Sequence, residues 1–180
     1  MNINEQKKEL RKKVKQLKAT FSTEEKREKS QKIWEQLEKS TSFLSAKTVM
    51  IYWSMDDEVY THAFIRKWHQ EKRIILPVVD GDTLELCIFT GDDSLVPGER
   101  YGIPEPKGNP FTEIEEIELI IVPGVAFDKQ YNRMGRGKAY YDKLLKTTDA
   151  CKTGVCFDFQ RFDNIPHDKN DVAMNNLIFA

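Results

Sequence analysis

Residues 117–142 read IELIIVPGVAFDKQYNRMGRGKAYYD, which is an apolar run, a basic loop containing glycine, and the start of a helical pattern. The apolar run at residues 117–122 is typical of a strand buried on both faces of a parallel sheet. Similar runs at residues 48–53 and 73–79 alternate with stretches of helical spacing. Helices are predicted at residues 4–19, 22–38 and 61–71, and short strands at residues 154–157 and 177–179. This alternation predicts a single three-layer α/β/α domain over residues 1–180, with a mostly parallel central sheet.

Two further features concern the edges of this sheet. A turn at Gly81 and Asp82 followed by alternating apolar residues at 84–89 predicts an edge strand or hairpin partner. Residues 91–111 are rich in Pro and Gly and predict a long loop, which in a compact domain is usually functional. In α/β sheets, ligands bind beyond the carboxyl ends of the strands. The loops at residues 54–61 and 123–136 and the tail after residue 157 are therefore expected to lie side by side.

The basic loop predicts a phosphate site, most plausibly for a nucleotide. Gly135 and Gly137 allow the backbone to approach an anion, and the first free N–H groups of a following helix point at it. Arg133, Arg136 and Lys138 add positive charge where phosphate oxygens would sit. The two familiar nucleotide-binding fingerprints are absent, so a basic surface turn that only connects a strand to a helix is the alternative.

Lys138 and Asp142 are four residues apart, so a helix that includes both would present them on one face. In the functional interpretation, Lys138 meets phosphate while Asp142 holds a Mg²⁺ ion that bridges the same phosphates. In the alternative, the two side chains form an exposed ion pair worth at most about 0.5 kcal/mol.

Composition limits the class of protein. The 180 residues are 39% hydrophobic and 32% charged, which is typical of a solvated globular domain. No apolar run approaches the roughly 20 residues that span a bilayer, and residues 4–18 lack the apolar core of a secretory signal. Three Cys without a CxxC pair make a disulfide framework unexpected. A cytoplasmic protein is expected.

The net charge is −1, but residues 1–40 carry 12 Lys or Arg against 7 Asp or Glu. RNA binding is not expected, because no basic strand is interleaved with aromatic residues. Membrane binding is not expected either, because the apolar stripe of Leu10, Val14 and Leu17 is narrow and lacks aromatic residues. Most lysines of this first helix are therefore predicted to form a solvated face. Lys7 and Arg11, at i and i+4, would project together toward a common ligand.

Five segments resemble the 5-formyltetrahydrofolate cyclo-ligase family, also called 5,10-methenyltetrahydrofolate synthetase. Its signature is matched by residues 123–128, 132–138 and 140–142, and its first-helix basic motif by KKELR at residues 7–11. Its substrate loop is matched by SMDDEV at residues 54–59 with Thr61, its middle segment by YGIPEP at residues 101–106, and its tail by residues 166–168 with Asn170 and Asp171. These segments fall in family order and span nearly the whole chain.

The resemblance implies a Rossmann-like scaffold similar to those of phosphosugar isomerases and CoA transferases. It implies that ATP and Mg²⁺ drive cyclisation of 5-formyltetrahydrofolate to 5,10-methenyltetrahydrofolate, with release of ADP and phosphate. In this reaction ATP phosphorylates the formyl oxygen and N10 closes the ring. The expected partners are these two substrates, with the folate possibly polyglutamylated, and the expected state is a monomer with its basic first helix contributing to the nucleotide site.

The resemblance also assigns individual residues. The residues implied for ATP are Lys7, Lys8, Glu9, Leu10, Arg11, Arg133, Met134, Gly135, Arg136, Gly137, Lys138, Ala139, Tyr140 and Tyr141. Those implied for the folate are Trp53, Glu58, Tyr101, Arg136, Gly137, Lys138, Ala139 and Tyr140. Catalysis is assigned to Arg133, Arg136 and Lys138, and Mg²⁺ to Asp142 and Asp171.

Three positions depart from the family's usual pattern. Met134 replaces a Leu, Ala139 replaces a Gly, and the tail lacks an acidic residue near Asn175. In a helix Ala is about 1 kcal/mol more favourable than Gly, so Ala139 is expected to stiffen the turn or to narrow the site slightly. The departures leave open a nucleotide-responsive regulatory domain that has lost turnover. A phosphosugar isomerase-like enzyme is a third alternative.

Overall fold

The computed structural model describes residues 2–98 and 102–180. The helices are α1 (Ile3–Ala19), α2 (Thr23–Leu37), α3 (Thr41–Ser45), α4 (His62–Trp68) and α5 (Tyr140–Leu145). The strands are β1 (Thr48–Met50), β2 (Arg73–Asp80), β3 (Thr83–Ile88), β4 (Leu95–Pro97), β5 (Pro104–Pro106), β6 (Leu119–Val122), β7 (Ala126–Asp128), β8 (Arg133–Met134), β9 (Cys151–Cys156), β10 (Arg161–Phe162) and β11 (Asn176–Phe179).

The central sheet has six strands in the order β11-β9-β6-β1-β2-β3. All neighbouring pairs are parallel except β2 and β3, which form the predicted antiparallel hairpin at one edge. Met50 of β1 pairs with Ile75 on one side and with Ile120 on the other, so β1 lies in the middle of the sheet. The predicted mostly parallel α/β sheet is confirmed.

Both faces of the sheet are covered, which explains why β6 is apolar at every position. Val49 and Ile121 pack into one apolar cluster with side chains from α2 and α4, including Ile33 and Phe64. The alternate positions Met50, Ile120 and Val122 pack into a second cluster with Leu144 and Leu145 of α5. Successive residues of a strand point to opposite faces, so one strand supplies both cores. This is the predicted three-layer arrangement.

The first two helices begin at capping boxes. Asn2 accepts a hydrogen bond from the Glu5 backbone N–H, and Ser22 accepts one from the Glu25 N–H, which confirms the predicted start of the second helix. Val14 of α1 packs on a third, small cluster with Ala126 and Met134. This contact seats α1 against the segment that follows β6.

A three-stranded sheet in the order β10-β7-β8 holds that segment, and the sequence did not predict it. The turn between β7 and β8 is built on the buried Asp128 carboxylate, which accepts hydrogen bonds from the backbone N–H groups of Gln130, Asn132 and Ile165 and from the Asn132 side chain. Asp128 therefore fixes the chain on which Arg133 is carried.

The start of α5 differs from the prediction. Ala139 has a φ of 56° and a left-handed conformation, so the helix begins only at Tyr140. Lys138 precedes the helix, and the prediction that Lys138 and Asp142 share one helical face is wrong. The expected benefit of Ala over Gly in a helix also does not apply at residue 139, because a left-handed backbone favours Gly.

Within the described ranges, no helix is long and apolar enough to cross a membrane.

Candidate active site

The three loops predicted to converge lie at one edge of the central sheet, because β1, β6 and β9 are parallel neighbours. They surround a cavity of about 920 Å³. Residues 77, 79 and 84 of the β2–β3 hairpin and Ile103 of the long loop complete its wall. The volume is within the range of ligand cavities that hold a drug-sized molecule.

The basic glycine loop contacts α1 directly. The Arg11 Nε–H donates a hydrogen bond to the Gly135 carbonyl at 3.0 Å. Gly137 has a φ of 103°, and a Cβ atom there would lie 3.5 Å from the Arg11 guanidinium. The positive φ favours glycine at this position, whereas a Cβ atom would make only an ordinary van der Waals contact with Arg11.

Lys7 joins α1 to the tail. Its Nζ atom lies 2.6 Å from the Asp171 carboxylate and 2.9 Å from that of Asp168. Burial acts to lower the pKa of Lys7, but the two carboxylates outweigh it and hold the pKa above its usual range. Lys7 therefore stays charged. It lines the cavity together with Arg11, as their i, i+4 spacing predicted.

Arg133 is buried, and its guanidinium group forms its hydrogen bonds with other groups of the protein. Its guanidinium donates to the Pro123 carbonyl and to Asp142 Oδ2, at 3.2 and 2.8 Å. The other Asp142 oxygen accepts the Val172 backbone N–H at 3.2 Å. The predicted alternative of a Lys138–Asp142 ion pair is wrong, because Arg133 takes that carboxylate.

Arg136 links the glycine loop to the loop after β1. Its Nη2 atom donates to Asp57 at 2.7 Å and to Glu58 at 3.1 Å. Glu58 also accepts the Met55 backbone N–H at 2.9 Å. Burial raises the pKa of Glu58 above its usual range, against the opposing effects of Met55 and Arg136. A cation and a carboxylate thus face the cavity side by side.

Lys138 is exposed and makes no hydrogen bond or ion pair with other residues that the structure describes. Its ammonium group is available to a ligand, unlike those of the paired cations around it. Tyr141, which also lines the cavity, is half-buried, and its buried hydroxyl has no partner among the described residues. Burial raises the pKa of Tyr141, so the phenol stays neutral and can donate a hydrogen bond.

An aromatic wall stands opposite the glycine loop. Trp53 is 8% exposed and stacks on His62, with ring centroids 4.0 Å apart. Its indole N–H is buried and has no partner among residues 2–98 and 102–180. An unpaired buried donor costs free energy, so a ligand acceptor here would be favoured. His62 was not predicted, although it lies one residue beyond the matched motif.

The cavity therefore brings together Lys7, Arg11, Trp53, Glu58, residues 133–141, Asp142 and Asp171. Three predicted residues of α1 are not part of its wall. Lys8 and Glu9 are exposed, and Leu10 packs on the third apolar cluster. The predicted substrate residue Tyr101 lies outside the described residues. The prediction that the other α1 lysines are solvated is wrong for Lys18, which is 6% exposed and pairs with Asp57.

A Mg²⁺ site can be tested against the donors present. Asp142 and Asp171 both line the cavity, and Asp142 contacts the residue next to Asp171. Each carboxylate has a cationic partner, and no group of three or more acidic, His or Cys ligands occurs in the described part of the chain. Mg²⁺ commonly binds through one or two carboxylates together with substrate phosphates and water. The two residues fit that kind of site and would not make a metal cage alone.

The fold and the cavity define an α/β protein that can bind an anionic, phosphate-bearing ligand beside an aromatic one. The sequence model of the 5-formyltetrahydrofolate cyclo-ligase family matches residues 3–180. A 5-formyltetrahydrofolate cyclo-ligase of Haemophilus influenzae is 27% identical over 185 residues, covering 98% of this chain and 99% of the relative.

Solved structures similar to this chain also come from this family. The structure of Aquifex aeolicus 5,10-methenyltetrahydrofolate synthetase superimposes with a TM-score of 0.87 at 36% identity, covering 96% of this chain and 89% of that one. A 5,10-methenyltetrahydrofolate synthetase from Mycoplasma pneumoniae superimposes with a TM-score of 0.76 at 28% identity, covering 96% and 97%. The chain belongs to the 5-formyltetrahydrofolate cyclo-ligase family. It is an enzyme that converts 5-formyltetrahydrofolate to 5,10-methenyltetrahydrofolate.

Proposed function

We propose that the cavity binds ATP and 5-formyltetrahydrofolate together and that the reaction proceeds through a phosphorylated formyl oxygen. The observation that carries this proposal is the contact of Arg136 with both Asp57 and Glu58. It ties the basic glycine loop to the loop after β1, so a phosphate on one and a pterin on the other would be neighbours. Holding two reactants in this way removes much of the entropic barrier.

The formyl oxygen is a poor leaving group, and the reaction requires that it be converted into a better one. The formyl oxygen attacks the terminal phosphorus of ATP, and ADP departs with the electrons of the broken P–O bond. N10 then attacks the formyl carbon and loses its proton, and the C–O bond breaks to release phosphate. The product is the methenyl cation, and the formyl oxygen leaves in the phosphate. Protein contributions to such transfer are mainly alignment and charge neutralisation.

The cations of the cavity supply the neutralisation. Lys138 is free to meet the terminal phosphoryl group, while Arg136, Arg11 and Lys7 surround it from the loop and from α1. Arg133 is held in place by Asp142 and adds a fixed positive charge. Such preorganised charge stabilises a transition state because it needs no reorganisation during the reaction. Lys8, Glu9 and Leu10 have no place in this proposal.

The folate would occupy the opposite side. Glu58 can accept hydrogen bonds from the N–H groups of the pterin, and Trp53 contributes to the cavity wall and offers one unpaired donor. Asp142 and Asp171 would hold Mg²⁺, which when bound neutralises phosphate charge. The role of Tyr101 in stacking on the folate stays a prediction.

An isotope experiment tests the mechanism. We expect 5-formyltetrahydrofolate labelled with oxygen-18 in the formyl group to transfer the label into inorganic phosphate, detected by mass spectrometry. ADP, phosphate and methenyl product should appear in equal amounts, and omission of ATP should stop the reaction. Unlabelled phosphate would rule out the phosphorylated formyl oxygen.

A further inference from the structure

A chain of four charged side chains runs from the last turn of α1 to the cavity. Lys18 Nζ lies 3.2 Å from Asp57 Oδ2, and Asp57 Oδ1 lies 2.7 Å from Arg136 Nη2. The same Arg136 nitrogen lies 3.1 Å from Glu58 Oε1. We refer to Lys18, Asp57, Arg136 and Glu58 as the charge chain. Only Arg136 and Glu58 line the cavity.

Lys18 is one of two buried lysines of α1, with Lys7, and its side chain is only 8% exposed. Burying an ammonium group costs free energy unless a counter-charge repays it, and Asp57 is that counter-charge. Burial lowers the pKa of Lys18, with Asp57 opposing the effect. For Asp57, burial acts to raise the pKa, but Lys18 and Arg136 outweigh it and the pKa is lowered. Asp57 is therefore a carboxylate shared between two cations.

We propose that Lys18 and Asp57 are positioning residues for the reaction, which set how Arg136 divides between Asp57 and Glu58. Without Lys18, Arg136 would be the only cation left to compensate the Asp57 charge. Asp57 would then draw Arg136 away from Glu58. The proposal rests on the function proposed above, in which Arg136 and Glu58 contact the substrates. Neither Lys18 nor Asp57 touches the cavity, so both act only through their partners.

The charge chain predicts in which direction the pKa of Glu58 changes when Lys18 or Asp57 is replaced. The charged and titratable groups that act on Glu58 are Arg136, Asp57, Lys18, Tyr52 and Tyr141. Burial of the two phenol groups raises their pKa values, so both stay neutral. Removing the positive charge of Lys18 should raise the pKa of Glu58 further, whereas removing the negative charge of Asp57 should lower it.

The test compares Lys18→Met and Asp57→Asn with the wild-type enzyme. We expect Lys18→Met to raise KM for 5-formyltetrahydrofolate about tenfold and to change KM for ATP less than about threefold. We use the term acid limb for the fall of kcat/KM at low pH that accompanies protonation of Glu58. The acid limb should move to higher pH in Lys18→Met and to lower pH in Asp57→Asn. The double variant should resemble Asp57→Asn, because Lys18 acts on Arg136 only through Asp57. Opposite shifts are not expected from general damage to the fold, and thermal melting checks that each variant is folded.

Lys15→Met is the matched control, because Lys15 is an exposed lysine of the same helix. It should leave both the KM values and the pH profile unchanged. The proposal is overturned if Lys18→Met and Asp57→Asn leave the acid limb in place or move it in the same direction. Glu58→Gln separates the two proposals: persistence of the wild-type limb in that variant overturns the premise that Glu58 contacts the substrate. If the limb disappears in Glu58→Gln but does not move in the other variants, the proposed function stands and the positioning role fails.

Discussion

Arg133 and Asp142 form an ion pair with Nη2 2.8 Å from Oδ2, and the two side chains are only 4% and 13% exposed. Removing one partner of a buried pair leaves an uncompensated charge, which typically costs about 3–5 kcal/mol. We expect Arg133→Met to lower the free energy of unfolding by about 3 kcal/mol, measured by urea denaturation. Arg73→Met is the matched variant, because the Arg73 and Glu116 side chains of that ion pair are 47% and 52% exposed, and its loss should cost about 1 kcal/mol or less. Equal losses in the two variants would contradict this distinction.

Lys138 should affect the rate without affecting the fold. It is exposed and unpaired within the described ranges, so Lys138→Ala should change the free energy of unfolding by less than about 0.5 kcal/mol. Loss of the ammonium group that meets the transferred phosphoryl group should lower kcat by at least about 100-fold. Lys39→Ala, at an exposed lysine of another surface, is the control for both measurements. A wild-type rate for Lys138→Ala would remove Lys138 from the mechanism.

The raised pKa of Glu58 predicts a pH dependence. If the carboxylate form binds the pterin, kcat/KM should fall as the pH is lowered through the pKa of Glu58. Because burial raises this pKa, the limb should lie above the ordinary value of 4.5. Glu58→Gln should lower kcat/KM and abolish the limb, and the measurement is kcat/KM for 5-formyltetrahydrofolate across the acid range. A limb at or below pH 4.5 in the wild type would show that Glu58 is not the titrating group.

Ala139 predicts a gain in stability on replacement by Gly. A left-handed conformation costs an Ala roughly 1–2 kcal/mol, and the extra freedom of Gly in the unfolded chain returns about 0.4–1 kcal/mol of that. Ala139→Gly should therefore stabilise the fold by about 0.5 kcal/mol, seen as a melting temperature about 1–2 °C higher. Gly137→Ala should do the opposite, because its φ of 103° strains any side chain. A lower melting temperature for Ala139→Gly would mean that the left-handed backbone carries no strain.

Metal binding should depend on the nucleotide. Asp142 and Asp171 are already paired with Arg133 and Lys7, so Mg²⁺ alone would have to compete with a cationic partner at each carboxylate. We expect millimolar Mg²⁺ to shift the melting temperature by less than about 1 °C, and Mg²⁺ with saturating ATP to raise it by several degrees. ATP with a chelator is the control. A large shift with Mg²⁺ alone would indicate a preformed metal site that the described donors do not provide.

The sequence predicted the central sheet well because its signals are local. The apolar runs of β2 and β6, the turn at Gly81 and the capping box at Ser22 each depend on a few consecutive residues. The order of β1, β6 and β9 then placed the three loops at one edge. The small β10-β7-β8 sheet was missed because its strands contain only two or three residues, too few for a period to be read.

The partners of the charged side chains could not be predicted, because they depend on distant parts of the chain. Asp142 pairs with Arg133 through a turn organised by Asp128, and nothing in the spacing of Lys138 and Asp142 reveals that competitor. Ala139 adopts a conformation that Ala usually avoids, so the start of α5 was placed too early. Lys18 did carry a signal, since it lies seven residues after Arg11 and eleven after Lys7, which places all three on one face of α1.

That shared face gives α1 a role beyond supplying ligands for phosphate. Through Lys7, Arg11 and Lys18 it is fastened to the tail, to the glycine loop and to the loop after β1. Displacement of this single helix would break all three contacts at once and would remove part of the cavity wall.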